Sequence, residues 1–267
     1  MKLPLLIASL VLCLACKNPY TDFYHDLTKG ADVSKVAEIP TGDPTIYRGQ
    51  NYDNDYIQMS ENGYLLLGYS SFNAGNNVNK DSAINHGKKI KAAVVLLYDP
   101  KYTGTNSGSV PLLMPNNTTT YSSGSATAYG SGGTVNVYGS GTSTTYGTQV
   151  VNMPYNVNRY DYGATYWIKD KRPIVFGVEW RDLTPAEKTQ IGSNKGARIN
   201  IVLKQSPAYR ADFMRNDIVK KIDNFEIMDA SDAQRIMSSS AGKTVIVELL
   251  RSGNVKTIEV VLNSPSN

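Results

Sequence analysis

The stretch GKTVIVELLRSG at residues 242–253, together with NDIVKKIDN at residues 216–224, decides the fold of the C-terminal part of the chain. In the first stretch apolar side chains alternate with others and a Ser-Gly pair follows, which predicts a largely buried strand and a hairpin turn. Between the two stretches, Asp229 or Ser231 can cap a helix that ends at Met237. The pattern predicts a small β-rich sandwich with helices packed on it.

Two shorter helices are predicted upstream of these strands. Thr184-Pro185 and Ser206-Pro207 each place a proline in the first turn of a helix, where the missing N–H group would have no partner in any case.

In this region the chain resembles a bacterial PDZ domain of the HtrA/Deg-protease type, over residues 173–264. Matching segments occur in the expected order at residues 183–188, 195–202, 206–208, 216–224, 230–237 and 242–253. The family usually has glycine where this chain has Asp212 and Asn216. Asp and Asn are among the residues that best tolerate the left-handed backbone region, so the fold is expected to survive both changes.

The resemblance implies a binding function. Domains of this family bind an extended peptide, usually a C-terminus, as an added strand. The resemblance places the peptide beside Arg198–Val202. Its carboxylate would be held by backbone N–H groups, and its last side chain would enter an apolar pocket. The residues expected to bind peptide are Lys195, Gly196, Ala197, Arg198, Ile199, Asn200, Ile201, Ala233 and Met237. Lys195 and Arg198 would favour an acidic partner. The alternative is a domain that serves only as an intramolecular clamp.

The N-terminus has the features of a lipoprotein signal peptide at residues 1–16. A short positive start is followed by an almost wholly apolar run that is too short to span a bilayer as a helix. The sequence Cys13-Leu14-Ala15-Cys16 resembles a bacterial lipobox, which implies that Cys16 is lipidated and anchors the protein to a membrane. We therefore expect a protein of the bacterial cell envelope, anchored in the outer membrane and facing the periplasm. The alternative is an ordinary cleaved signal and a secreted protein.

Composition divides the rest of the chain. Residues 17–49 contain prolines and scattered charges with little periodicity, and we predict a tether there. Tyr209 is the only tyrosine after residue 170, so tyrosine usage marks a boundary near that point. We predict an α/β domain over residues 50–172, followed by the PDZ domain.

The predicted α/β domain begins with a βαβ unit. Apolar runs at residues 64–70 and 92–98 flank a helical pattern over residues 80–91, so we predict two parallel strands joined by a helix. The loop before the helix lacks both glycine-rich patterns that hold phosphates. His86 is predicted to be a solvent-facing residue of this helix.

An uncharged tract rich in Gly, Ser, Thr and Tyr occupies residues 103–149 of this domain. Charged residues are absent from Tyr102 to Asn158, and a tyrosine recurs every 8 or 9 residues, at Tyr121, Tyr129, Tyr138 and Tyr146. We predict short antiparallel strands, such as 133–138 and 143–146, with turns at the Gly-Ser-Gly sequences. The tract is either a β-hairpin extension or an exposed, uncharged β edge that pairs with a partner or with itself.

Composition also excludes several classes of function. The chain has two Cys and two His, and both Cys lie in the leader, which excludes a structural zinc site. The formal net charge is only +4 and no Lys/Arg cluster is present, so nucleic acid is not an expected partner. A serine hydrolase needs a base, and only His25 and His86 are available, with no G-x-S-x-G motif. We expect neither enzyme activity nor a cofactor.

These observations together predict an α+β protein that combines an α/β domain carrying a β-hairpin extension with a β-rich PDZ domain. The function they favour is that of a non-catalytic, membrane-anchored lipoprotein. Its PDZ domain would bind extended or C-terminal peptides of envelope proteins as an adaptor. The alternative is a structural, self-assembling envelope protein that acts through the uncharged β tract.

Overall fold

The computed structural model describes residues 18–75, 78–131 and 133–264. The predicted signal peptide of residues 1–16, with its lipidation site Cys16, lies outside the described residues. The chain divides into two compact units, of which residues 102–160 form one and the residues on either side form the other. The larger unit contains helices and two β-sheets, and the prediction of an α+β fold is confirmed.

Six strands of the described residues form the first sheet. They are β1 Tyr24–Asp26, β2 Ala37–Glu38, β3 Thr45–Arg48, β4 Tyr64–Gly75, β5 Val94–Gly130 and β6 Gly133–Asp170. Their order is β1-β4-β6-β5-β3, and β2 pairs with β6. Three helices accompany this sheet, α1 Pro19–Asp22, α2 Tyr52–Glu61 and α3 Lys80–Lys89. Each begins after an asparagine whose side chain accepts backbone N–H groups of the first turn, which is the usual N-cap arrangement.

Strands β4 and β5 point in the same direction, as predicted for the βαβ unit, but they are not neighbours. Strand β6 lies between them. A hydrogen bond of 2.8 Å joins Asn73 to Asp161, and another of 3.0 Å joins the Asp170 N–H to the Gly63 carbonyl, so β6 runs antiparallel to β4. Because β5 and β6 are the two arms of a hairpin, β6 is antiparallel to β5 as well. The helix α3 therefore connects two parallel strands around a third one.

The core of this sheet is aromatic. Trp167 on β6 is fully buried and packs with Val94 and Leu96 of β5. Its indole N–H donates to the Thr165 hydroxyl at 2.8 Å, so its polar atom is satisfied inside the core. Tyr56 of α2 packs against the same cluster and attaches that helix to the sheet.

The segment predicted as a tether, residues 17–49, differs from that prediction in its described part. β1 pairs antiparallel with β4, β2 pairs antiparallel with β6, and β3 pairs parallel with β5. The strands β1 and β3 form the two edges of the sheet. Strands of two to four residues are too short to show an alternating pattern, and their partners lie far away in sequence, so local periodicity does not reveal them.

The prediction that His86 faces solvent is wrong. Its side chain is 3% exposed and packs against the rings of Tyr24 and Tyr166, at centroid distances of 4.5 and 4.9 Å. The Nδ1 atom lies 3.1 Å from the Thr21 hydroxyl, and Nε2 has no hydrogen-bond partner among the described residues. Burial, with a contribution from the Lys89 ammonium, lowers the pKa of His86 to about 4.

We expect His86 to make the fold sensitive to acid. An unfolded histidine has a pKa of about 6.5. Between that pH and about 4, the unfolded chain binds a proton at His86 and the folded chain does not. The free energy of unfolding should fall as the pH drops from about 6.5 to 4, by up to about 3 kcal/mol from this group. Urea denaturation of the full chain at a series of pH values measures this loss. His86→Phe should remove it, whereas His25→Gln, at an exposed histidine, should leave it intact.

The second unit, residues 102–160, is a single β-hairpin made of the long parts of β5 and β6. The predicted series of short strands is wrong, because Gly139, Ser140 and Gly141 lie inside β6 rather than in a turn. A Gly-Ser-Gly sequence has no preference strong enough to end a strand when a partner strand continues beside it.

The second sheet contains β7 Val178–Asp182, β8 Ala197–Val202, β9 Ile218–Ile222, β10 Phe225–Glu226, β11 Thr244–Arg251 and β12 Asn254–Val261. Its order is β12-β11-β9-β8-β7, with β10 paired to β9. The accompanying helices are α4 Pro185–Ile191, α5 Pro207–Arg210 and α6 Ala230–Ser239. Thr184, Ser206 and Asp229 cap them through side-chain oxygens, as their sequences predicted.

One core lies between this sheet and its helices. It contains the inward side chains of β8, β9 and β11 and those of α6, including Ile199, Val219, Val247 and Met237. Asp212 and Asn216 have φ angles of 62° and 76°, so both residues that replace a family glycine adopt the left-handed conformation.

A buried ion pair ties β9 to the end of β11. The carboxylate of Asp217, 1% exposed, accepts hydrogen bonds from Arg251 Nε and Nη2 at 2.8 and 2.7 Å. It also accepts the Met214 N–H at 2.9 Å. The pair therefore holds the turn between α5 and β9 against the β11–β12 hairpin.

Candidate functional site

The edge strands of the second sheet are β7 and β12, and β7 is the one that lies across a cavity from α6. The predicted peptide-binding strand, β8, pairs with Val178–Asp182 along its whole length on one side, and Ala197 and Arg198 pair with β9 on the other. It is an internal strand and has no open side for an added strand. Placement of the peptide beside Arg198–Val202 is therefore corrected: strand addition needs an edge strand, and β7 is the edge strand that lines the cavity.

The loop that enters β7 turns its carbonyl groups toward the body of the domain. The carbonyl oxygens of residues 174–177 accept hydrogen bonds at 2.7–3.0 Å from the Asn263 side chain, the Asn263 N–H, the Ala208 N–H and the Leu203 N–H, in that order. This continuous set of bonds fixes the backbone of the loop.

The N–H groups of the same loop have no such partners. Within the described part of the chain, Val175, Phe176 and Gly177 donate no backbone hydrogen bond. Gly177 has a φ angle of 91°, and a Cβ atom there would stand 2.1 Å from the Ser206 Cβ, so this position requires glycine. A run of free N–H groups on a fixed loop can hold an anion such as a carboxylate.

A cavity of about 870 Å³ runs from this loop along β7 and α6. Phe176, Val178 and Trp180 line one side of it. On the other side are Ala230, Ser231, Gln234, Met237 and Ser238 of α6. The gap between a strand edge and a facing helix is an apolar groove with polar side chains at its rim, which suits an extended chain.

Residues of the first sheet and its helix α2 complete the cavity. They include Leu27, Tyr56, Ser60, Tyr64, Leu65 and Leu66. The Glu179 carboxylate of β7 stands between the two parts, at 3.3 Å from the Tyr56 hydroxyl and 3.0 Å from Asn200 Nδ2. The backbone of Lys204 also donates to the Glu61 carbonyl at 2.8 Å. The groove is therefore built by both parts of the larger unit.

The structure brings together only part of the predicted peptide-binding set. Ile201 and Met237 line the cavity. Ala197, Ile199 and Ala233 are buried in the core instead. The Gly196 N–H donates to the Met228 carbonyl at 3.4 Å, so it is engaged within the fold.

The three polar residues of the predicted set have partners within the domain. Lys195 forms an ion pair with Glu226 at 2.7 Å, and Asn200 donates to Glu179. Arg198 forms an ion pair with Glu187, whose pKa is lowered to about 2 by hydrogen bonds from Arg181 and Thr184 and by the Arg198 charge. These cations do not line the cavity, so they give no support to an acidic ligand.

Comparison with known proteins agrees with this architecture. Residues 175–262 match the family model of the PDZ domain. This region is a PDZ domain. The match begins at the loop of free N–H groups and ends after β12, so it includes β7 and α6, which line one part of the groove. A PDZ domain is an interaction module without catalytic residues of its own.

Several solved structures are similar to part of the chain. One is the HtrA3 PDZ domain bound to a phage-derived ligand, at 20% identity and a TM-score of 0.30, covering 35% of this chain and 86% of that one. Another is the HtrA-type protease AlgW with a decapeptide, at 21% identity and a TM-score of 0.29, covering 39% of this chain and 38% of that one. No curated protein matches the sequence.

Two further features concern the described residues only. No helix among them is long and apolar enough to cross a membrane. No three side chains of His, Cys, Asp or Glu come together there in a way that would hold a metal ion.

The residues that the sequence analysis missed are those of the loop and strand at 174–182. Gly177 was the available signal, since a glycine before the alternating Val178, Trp180 pattern marks a turn with positive φ leading into a strand. Gly196 gave the same signal before β8, with φ of 127°. Both strands of the PDZ domain therefore have the same local pattern, and only the pairing distinguishes the edge strand from the internal one.

Proposed function

We propose that this chain binds peptides through their free C-terminus in the PDZ groove. The observation that carries the proposal is the loop of Val175, Phe176 and Gly177, whose three N–H groups are unpaired within the described residues and stand at the head of the free edge strand β7. A carboxylate placed there accepts charge-assisted hydrogen bonds, and the peptide continues along β7 as an added strand.

The lining of the groove favours an apolar last side chain. Phe176, Ile201 and Met237 are apolar residues of the cavity wall, whereas Ser231, Gln234 and Ser238 are polar residues of α6. A small groove of this kind binds with an affinity near micromolar, about −8 kcal/mol. This chemistry selects C-terminal peptides with an apolar terminal residue and sets no requirement for acidic residues.

We further propose that the protein is a non-catalytic adaptor of the bacterial envelope, held on a membrane through a lipidated Cys16. The lipobox-like sequence supports the anchor, and the match to an interaction module supports the adaptor role. The cysteine would become the first residue of the mature protein and carry the acyl chains, since stable anchoring takes more than one chain. Detection of acyl groups on Cys16 by mass spectrometry of the membrane fraction tests the anchor, and an unmodified, secreted chain would contradict it.

Binding is tested with fluorescently labelled C-terminal peptides and the purified full chain. We expect saturable binding that is at least about 10-fold weaker when the peptide carboxylate is amidated, because charge-assisted hydrogen bonds are lost. Equal binding of free and amidated peptides would reject the carboxylate site. Complete absence of binding across a peptide library would leave the domain as an intramolecular clamp.

Filling the groove should weaken this binding without unfolding the domain. Gln234 is an exposed residue of α6 that lines the cavity, and Arg235 is an exposed neighbour that does not. We expect Gln234→Trp to weaken peptide binding by roughly 10-fold or more, because the indole occupies the space of the peptide. Arg235→Trp is the matched control and should bind as the natural chain does. If both variants bound equally well, the groove would not be the binding site.

A further inference from the structure

The uncharged hairpin has a regular arrangement of tyrosines. Contacts between its arms join Thr105 to Asn158 at 2.7 Å, Thr119 to Thr144 at 3.3 Å and the Ser122 hydroxyl to the Gly141 carbonyl at 3.2 Å. Each step along β5 is thus matched by one step back along β6, which defines the register of the whole hairpin.

This register places all four recurring tyrosines on one face. Side chains of a strand alternate between faces, and residues directly opposite each other share a face. Because Thr119 faces Thr144, the same face carries every second residue from each, and these include Tyr121, Tyr129, Tyr138 and Tyr146. All four side chains are 79–83% exposed. The face alternates a tyrosine from β5 with one from β6 along its length.

The outer edge of β6 in this hairpin is unpaired. Among the described residues, β4 contacts β6 between Asp161 and Asp170 and β2 pairs with Lys169 and Asp170, so neither strand lies beside residues 133–153. Proline, which cannot donate to a ladder, is absent from Gly133 to Met153. The β5 edge is interrupted by Pro111 and Pro115 and is therefore the less suitable of the two. Natural sheet edges are protected by charge, and this one has none.

We propose that two copies of this chain associate by pairing their β6 edges antiparallel about a two-fold axis at Thr142. Tyr138 and Tyr146 are equally spaced on either side of that residue, so this symmetry sets Tyr138 of one copy directly opposite Tyr146 of the second copy, and the reverse. Cross-strand aromatic pairs of this kind stabilise a sheet. No other register of this edge with itself pairs both tyrosines on both copies.

A second copy is the occupant that the sequence of the edge favours. An edge without charges has no repulsion against its own copy, whereas a charged edge does. A two-stranded hairpin is marginally stable in water, and pairing converts it into a four-stranded sheet with a tyrosine-covered face. The proposal is independent of peptide binding, because the described residues that line the PDZ groove all lie outside the hairpin.

Charged residues placed near the two-fold axis test the proposed register between the two β6 edges. Ser140 and Thr144 of opposite copies face each other in the proposed pairing, at two equivalent places. The double variant Ser140→Lys with Thr144→Lys places two positive charges opposite each other at both places. The double variant Ser140→Glu with Thr144→Glu places two negative charges there. Ser140→Glu with Thr144→Lys instead puts opposite charges together at the same two positions.

The association constant of the full chain is measured by sedimentation equilibrium. We expect the natural chain and the Glu/Lys variant to dimerise, and the Lys/Lys and Glu/Glu variants to dimerise at least about 10-fold more weakly. The matched control, Ser123→Lys with Thr127→Lys on the same face of β5, should dimerise as the natural chain does. A natural chain that is monomeric at its highest soluble concentration would overturn the proposal, and so would equal association of the Glu/Lys and Lys/Lys variants.

Discussion

Arg251→Met is expected to lower the free energy of unfolding of the PDZ domain by about 3–5 kcal/mol. Its guanidinium holds a carboxylate, Asp217, that is 1% exposed, and removal of the arginine leaves that charge buried without a counter-ion. Urea denaturation of the full chain, followed by hydrogen exchange of β9 and β11, measures the loss. The exposed pair of Lys195 and Glu226 is the matched control, and Lys195→Met should change stability by less than about 1 kcal/mol.

A double variant separates the charge effect from a loss of packing. Arg251→Met combined with Asp217→Asn removes the unpaired charge, so it should be more stable than Arg251→Met alone. If the double variant were the less stable of the two, the uncompensated charge would not be the cause of the destabilisation.

The second large effect is expected at Gly177, at the head of β7. Gly177→Ala should destabilise the domain by about 2–5 kcal/mol, because it adds a Cβ in the left-handed region and drives it against Ser206. Gly192 has a φ angle of 61° and open space around its Cα, which makes Gly192→Ala the matched control. We expect that control to lose only about 1–2 kcal/mol, from backbone strain alone. Thermal denaturation of both variants measures the difference, and equal losses would show that the contact with Ser206 is not tight.

Local patterns predicted the elements of the PDZ domain well. The alternation in GKTVIVELLRSG and its Ser-Gly turn correspond to β11 and β12, and Asp229 caps α6 as expected. Asp212 and Asn216 have the positive φ angles that the missing family glycines indicated. These features depend on a few neighbouring residues, which is why the sequence contains them.

The errors concern pairing between distant residues. Both β7 and β8 follow a glycine and alternate, so the sequence alone did not distinguish an edge strand from an internal one. The short strands β1, β2 and β3 exist only because longer strands, far away in sequence, provide the ladder. His86 was assigned to the solvent face of its helix, but the ring is buried and packs against tyrosines.

The uncharged tract is a second case in which local sequence did not predict the structure. Glycine and serine at residues 139–141 have local properties of a turn, and the structure has them in the middle of β6. Only the partner strand, matched residue by residue from Thr105 to Ser122, keeps them extended. The hairpin extension itself could be predicted, while the number and length of its strands could not.

The contacts of Glu179 affect how long a peptide stays bound in the groove. Its carboxylate is held by Tyr56 from one side and by Asn200 from the other, and a peptide beside β7 would be enclosed by α6 and by the residues around Tyr64 as well. Such a ligand leaves either by sliding out along its own axis or after these walls separate, and separation breaks the contacts of Glu179 and Lys204. We therefore expect opening of the enclosure to contribute to the dissociation rate of a bound peptide, so that loosening Tyr56 shortens its residence time.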